Sequence, residues 1–152
     1  MKKILITGGS GFIGTNFINF LSKKKIKILN IDKISKVSSP EKFKKIFYKN
    51  NYKFIKDNLN DTKKIYQILI KYKPDYIINF AAESHVDRSI DDPIYFIKNN
   101  INSATNLFYA YIKYYKLKKI KLFHISTDEV YGSIKKGEFI EHDTYNPSSP
   151  YS

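Results

Sequence analysis

No cysteine occurs among the 152 residues, so neither a disulfide framework nor a thiolate metal site is open to this chain. That absence fits a cytoplasmic protein. Arginine is almost missing as well: Arg88 is the single one within a Lys+Arg total of 27. Long apolar runs are lacking too, since Ile4 to Ile6, Ile26 to Ile31 and Tyr76 to Ala82 are each too short and interrupted to span a bilayer. Lys2 and Lys3 lead straight into a short apolar run and a glycine turn, which is not the pattern of a signal peptide.

The formal net charge of +13 raises the question of nucleic acid, because clustered cations neutralise phosphates. The distribution argues against it. Lysines are spread along the chain, and the arginine forks favoured for base and phosphate recognition are absent. The joint excess of Lys, Asn, Ile, Tyr and Phe looks like a codon bias toward A and T, and the lysines read as a solvated surface.

An apolar fraction of 42% over this length supports one folded domain. The order of elements is strand (Lys2 to Thr7), glycine turn, helix to about Lys24, and strand (Ile26 to Ile31) ending at Asp32. A short helix is expected over Pro40 to Tyr48 and a third strand over Tyr52 to Ile55. Asp61 and Thr62 cap a helix to about Tyr72, Pro74 stops it, and Tyr76 to Phe80 forms the fourth strand. Asp92 and Pro93 open a long helix to about Tyr115, with Ile94, Ile97, Ile101, Ala104, Phe108 and Tyr111 as its inward stripe. Ile120 to Ile125 reads as a fifth, buried strand. This alternation predicts an α/β fold, a doubly wound parallel sheet whose ligands sit beyond the carboxyl ends of the strands.

Three groups of residues fall at those ends. Gly9-x-Gly11-x-x-Gly14, overlapping Gly8-x-x-Gly11-x-x-Gly14, follows a strand and opens a helix. Asp32 lies eighteen positions after Gly14. Such a turn lets a backbone approach a pyrophosphate, and an acid at Asp32 would accept from adenosine ribose hydroxyls while repelling a 2′-phosphate, favouring NAD over NADP. A plain structural turn is the alternative. Asp57 could meet an adenine edge or serve only its loop, and Ala81 and Ala82 leave room for a cofactor or for helix packing. Ser126 to Gly132 places Asp128 and Glu129 side by side after the fifth strand, where unequal surroundings can make one an acid and the other a base. A helix cap or a surface acid pair is the competing reading. No His, Asp and Glu cluster at metal-ligand spacing supports a metal.

Thr7 to Gly14 resembles the cofactor turn of the extended short-chain dehydrogenase/reductase family. Ala81 to Ile90 and Ser126 to Gly132 are similar to the signatures of its NAD-dependent epimerase/dehydratase branch, in particular the dTDP-glucose 4,6-dehydratases. Pro147 to Ser152 looks like the lead-in to that family's Tyr-x-x-x-Lys, and the resemblance covers the whole chain. It implies a Rossmann-type NAD-binding domain over 1–152, cut before its last strands and before a carboxyl-terminal substrate domain. Matched residue by residue, NAD contacts fall on Gly8, Gly11, Phe12, Ile13, Gly14, Asp32, Lys33, Ser35, Asp57, Asn58, Phe80, Ala81, Ala82, Ser84 and Asn99. The nucleotide-sugar substrate would meet Ser84, His85 and Thr127, although turn bonding for Ser84 and a structural role for His85 stay open.

The reaction so implied is dehydration of a nucleotide-linked glucose to its 4-keto-6-deoxy form, with no net redox change. Tyr151 would take the C4 hydroxyl proton, Thr127 would bond the C4 oxygen, Glu129 would remove the C5 proton and Asp128 would protonate the departing C6 hydroxyl. Two departures stand out. Lys36 to Pro40 replaces the Tyr-Ala-Gly-Asn run expected after Ser35, and the Lys due four residues after Tyr151 lies past the last residue. The 152 residues are therefore expected to be inactive alone. A homodimer through the helix from Asp92 is the assembly the resemblance implies for the complete enzyme. Alternatives are a related nucleotide-sugar epimerase, a dehydratase of UDP- or GDP-linked sugar, and a cofactor-binding remnant without catalysis.

Overall fold

Short β-rich apolar runs separated by amphipathic stretches can bury both faces of a sheet only if helices cover each side, and the chain folds that way. The computed structural model describes residues 1–35, 38 and 50–152. The helix expected over Pro40 to Tyr48 lies outside the described residues, as do Lys36, Val37 and Ser39.

The described elements run β1 (Lys2–Thr7), α1 (Phe12–Leu21), β2 (Ile26–Asp32), β3 (Tyr52–Lys56), α2 (Thr62–Tyr72), β4 (Tyr76–Asn79), α3 (Val86–Asp91), α4 (Pro93–Tyr115) and β5 (Lys121–His124), then a 3-10 turn, Asp128–Tyr131. The five strands are parallel in the order β3-β2-β1-β4-β5. Alternation along the strands divides the core in two. Leu5, Leu29 and Ile77 meet Ile65 and Leu69 of α2 and Leu107, Ala110 and Tyr114 of α4. On the opposite face Ile4, Ile6, Ile28 and Tyr52 meet Ile18 and Leu21 of α1. Each such side chain contributes roughly 1.5–3 kcal/mol by leaving water.

Local chemistry sets the ends of the elements. The Asp61 carboxylate accepts from the backbone N–H groups of Lys63 (2.8 Å) and Lys64 (3.2 Å), and α2 closes on left-handed Lys73 just before Pro74. α1 stops at Leu21 instead of reaching Lys24, because Lys23, Lys24 and Lys25 offer nothing to bury. Lys118 Nζ donates to the Pro74 carbonyl (3.0 Å) and Asp75 Oδ1 (2.9 Å), pinning the end of α4 to the turn entering β4.

Two sequence expectations are corrected. The inward face of α4 is Phe96, Ser103, Leu107, Ala110 and Tyr114, whereas Ile94, Ile97 and Ile101 are exposed at 63%, 49% and 57%. This helix carries two apolar stripes, and helical spacing alone cannot say which one faces the sheet. β5 is likewise not a buried strand. Among the described residues it pairs only with β4, at one edge of the sheet they form, and Phe123 and the adjoining Ile125 remain exposed.

A polar chain, buried at Thr7 and Asn79 and reaching the surface at His124, ties β1, β4 and β5. Asn79 Oδ1 accepts from the Thr7 hydroxyl and from the Ala81 backbone N–H (3.2 Å). Its Nδ2 must then be the donor toward His124 Nδ1 at 2.9 Å, which leaves that ring nitrogen unprotonated. Burial holds the His124 pKa below its ordinary 6.5, although part of the ring stays exposed.

Leu107→Ala should cost about 2–5 kcal/mol in urea denaturation, while Ile101→Ala should stay within about 1 kcal/mol; equal costs would return the inward face to Ile101. His124 takes up a proton less readily in the fold than when unfolded, so its contribution is present above its unfolded pKa and lost as pH falls. The drop in urea midpoint between about pH 7 and about pH 5.5 should be smaller in His124→Gln than in the parent protein.

Candidate functional site

The sheet order reverses between β1 and β4, because the chain leaves β1 toward β2 and β3 on one side and later returns to β4 and β5 on the other. At such a switch point the connections diverge and open a crevice. Its walls are the turn after β1 and the Phe80 to His85 segment after β4. Gly8 sits there with φ +68°, and a Cβ on it would lie 2.5 Å from the Ala81 nitrogen. Gly14 is also compelled by the fold, since its Cβ would stand 2.5 Å from the Gly8 carbonyl oxygen.

Gly11 differs. Its φ is −73°, and a Cβ there would meet only the Gly8 carbonyl oxygen at 3.4 Å, an ordinary contact. Packing within the chain does not require a glycine at this position. The missing side chain leaves space in the crevice beside the amino end of α1, whose N-cap, Gly11, makes no side-chain bond. A cradle that one methyl group would fill, at a helix amino end, fits a pyrophosphate.

Two adjoining cavities share Gly8, Gly11, Phe80, Ala82 and Glu83 and form one groove. The first, about 80 Å³, is also lined by Asp32, Lys33, Ser35, Asp57, Asn58, Ala81 and Asn99. The second, about 390 Å³, is also lined by Phe12, Ile13, Gly14, Ser84, His85, Arg88, Ser126 and Tyr151. All fifteen residues matched to the cofactor through the family resemblance therefore line this groove, joined by His85 and Tyr151. Tyr151 is held there because its backbone N–H donates to the buried Ser89 hydroxyl of α3 (3.2 Å).

Asp32 accepts from the backbone N–H groups of Ser10 at Oδ2 (2.8 Å) and Ile34 at Oδ1 (2.7 Å). Each oxygen keeps a second acceptor position for a ribose hydroxyl. The loop and ligand readings of Asp32 are thus compatible. Asp57 accepts from the Leu59 N–H (2.9 Å) and pairs with Lys64, so its loop role is realised while it still lines the groove. Lys64 is held above its usual pKa by its hydrogen bond to Asp57 and by that carboxylate's charge.

Thr127, Asp128 and Glu129 do not line either cavity. Asp128 and Glu129 occupy the 3-10 turn beyond β5, whose cap is Thr127: its hydroxyl accepts from the Glu129 N–H (3.2 Å). The Asn146 N–H donates to the Val130 carbonyl (2.9 Å), folding the chain's last part back on this turn. Among the described residues no group of three or more His, Cys, Asp or Glu could hold a metal ion.

Sequence reasoning overlooked two supports. Asn30, fully buried in β2, accepts from the Gly9 N–H (3.1 Å) and donates to the Tyr52 hydroxyl (3.0 Å). Burial pushes the Tyr52 phenol up to about 12, so it stays protonated as an acceptor and donor. Glu83, 4% exposed, accepts from Lys33 Nζ (2.7 Å) and the Tyr95 hydroxyl (3.1 Å). The signal available was a charged residue within the otherwise small and apolar run that follows a buried strand.

A family model described as GDP-mannose 4,6 dehydratase matches residues 5–152. The chain is similar to a probable dTDP-glucose 4,6-dehydratase of Sinorhizobium fredii, 37% identical over 157 residues, covering 99% of this chain and 45% of the relative. Among solved structures it resembles the dTDP-glucose 4,6-dehydratase of Bacillus anthracis in complex with NAD, at 35% identity and TM-score 0.86, covering 99% of this chain and 46% of that one. The UDP-Glc/GlcNAc 4-epimerase of Campylobacter jejuni superposes with TM-score 0.85 at 28% identity, covering 99% and 45%. The chain spans about half the length of the relatives it matches.

Gly11→Ala should leave the urea midpoint within about 1 kcal/mol of the parent and weaken dinucleotide binding at least about tenfold, read by calorimetric titration. Gly8→Ala, strained in its backbone, should lose about 1–3 kcal/mol of stability. Unimpaired binding by Gly11→Ala would remove the cradle from the site.

Proposed function

The chain belongs to the GDP-mannose 4,6-dehydratase family, and from that membership we propose that it forms the cofactor-binding half of an NAD-dependent dTDP-glucose 4,6-dehydratase. The observation that carries the reading is the groove that joins Asp32, past the shared Gly11, to Ser84, His85 and Tyr151. Its two adjoining parts offer the dinucleotide the glycine turn and Asp32, and the sugar Ser84, His85 and Tyr151. NAD, when bound, supplies reversible hydride chemistry at the sugar carbons.

The chain's own residues then have distinct tasks on this reading. Gly11 and the amino end of α1 receive the pyrophosphate, while Asp32 orients the adenosine ribose. Tyr151 takes the C4 hydroxyl proton, and Thr127 bonds the oxygen left there. Ketone character at C4 makes the C5 proton acidic, so Glu129 can remove it while Asp128 protonates the departing C6 hydroxyl. The adjacency of Asp128 and Glu129 on one 3-10 turn supports this division of labour and argues against epimerisation, which retains the C6 hydroxyl.

Completion of the reaction belongs to the longer protein. The chain spans about half the length of its relatives, so the proposed activity is that of a protein of their length, and the proposal includes little or no turnover by these 152 residues alone. It also includes a cytoplasmic location, in keeping with the absence of cysteine, and a homodimer through α4, whose exposed Ile94, Ile97 and Ile101 supply an apolar face.

The full-length protein given dTDP-glucose and NAD should yield a product lighter by one water, read by mass spectrometry. Asp128→Asn and Glu129→Gln should each lower turnover about 10²–10⁴-fold with NAD binding retained. A product of unchanged mass with an inverted C4 would replace this reading with the epimerase one, and the similarity to 4-epimerases makes that the relevant competitor.

A further inference from the structure

Lys33 directly follows Asp32 and lines the same end of the groove. A free ammonium there would be a ready counter-charge for a phosphate on the adenosine ribose. This one is already engaged. Its three N–H donors face Glu83 Oε1 (2.7 Å), Asn99 Oδ1 (2.7 Å) and the Tyr95 hydroxyl (3.0 Å).

Glu83 makes the arrangement hard to undo. Its carboxylate is 4% exposed, and beyond Lys33 and the Tyr95 hydroxyl its charged neighbour is Arg88, whose Nη1 stands 3.8 Å from Oε2. Drawing Lys33 toward a ligand would leave a buried carboxylate with one loosely placed cation, a costly state. Burial alone would lower the Lys33 pKa, but its bonds to Glu83 and Tyr95 and the charge of Glu83 raise it overall, so Lys33 keeps its charge through neutral pH.

We infer that Glu83 is a specificity-determining residue for the cofactor: by holding Lys33 it withholds a cation from a 2′-phosphate, adding to the repulsion from Asp32 and favouring NAD over NADP. This rests on the proposed dinucleotide site. Glu83 acts through Lys33 and touches no reacting atom, so the readout is the ratio of the two cofactor affinities.

In the full-length protein, Glu83→Gln should raise the affinity for NADP relative to NAD about tenfold by calorimetric titration, because Lys33 is then held only by neutral groups, Asn99 and Tyr95 among them. Adding Lys33→Met should return the ratio to that of the parent. Glu83→Asp keeps the buried charge but shortens its reach, and should give an intermediate ratio if the Gln variant does not fold. An unchanged ratio in a folded Glu83 variant that binds NAD overturns the inference, as does a raised ratio that survives Lys33→Met. A parent protein that binds neither cofactor overturns the dinucleotide reading itself, and the inference with it.

Discussion

The close approach of Gly8 to Ala81 is the constraint on which the rest of the structure depends. Two parallel strands, β1 and β4, end side by side, yet their following segments must part in opposite directions. Only a residue without a Cβ and with a left-handed φ can turn at the first strand's end while the backbone after the second passes 2.5 Å from where that Cβ would be. The turn so formed seats Gly14 against the Gly8 carbonyl and aims the amino end of α1 into the crevice. Gly11 then stands at the one point of the turn where the fold itself leaves room.

Polar side chains secure this turn from below at an energetic cost the hydrogen bonds must offset. Thr7, Asn30, Asp32, Asn79 and Glu83 are all buried at or just beyond the carboxyl ends of strands. An unpaired polar group in such a place would cost about 1–3 kcal/mol. Among the described residues no buried side-chain nitrogen or oxygen lacks a partner. The core therefore changes character along β1, β2 and β4, from aliphatic residues in the middle to hydrogen-bonded residues at the ligand end. Stability and preorganisation of the groove come from different parts of the same three strands.

Much of this was legible in the sequence because the strands and turns carry local signals. Lys2 to Thr7 and Ile26 to Asp32 are short apolar runs bounded by glycine, lysine or acid, and Asp61, Lys73, Pro74, Asp92 and Pro93 punctuate α2 and α4 as capping chemistry requires. The phase of α4 was not legible, since its choice between the Ile97 and Leu107 faces is made by the sheet. Neither was Glu83, whose burial depends on Lys33, 50 positions away by numbering, and on Tyr95 from α4. Long-range pairing of this kind leaves no periodic trace.

The groups assigned to the proposed reaction hang on separate supports, and this bears on how such a site could work. Tyr151 is fixed through Ser89 to α3, a short helix that follows β4. Asp128 and Glu129 are fixed through Thr127 and the Asn146 to Val130 bond to the turn after β5. Gly132 joins the two, because a Cβ on it would lie 2.3 Å from the Asn146 carbonyl oxygen, and that close packing lets the chain return from the acid pair toward Tyr151. In the proposed reaction, oxidation at C4 and elimination across C5 and C6 concern consecutive carbons of one sugar, two in the ring and one attached to it, so their groups must meet within a few ångströms. Mounting them on two adjacent strands, with the returning segment as the brace, allows each set to keep its own hydrogen bonds while the substrate supplies the final contact between them.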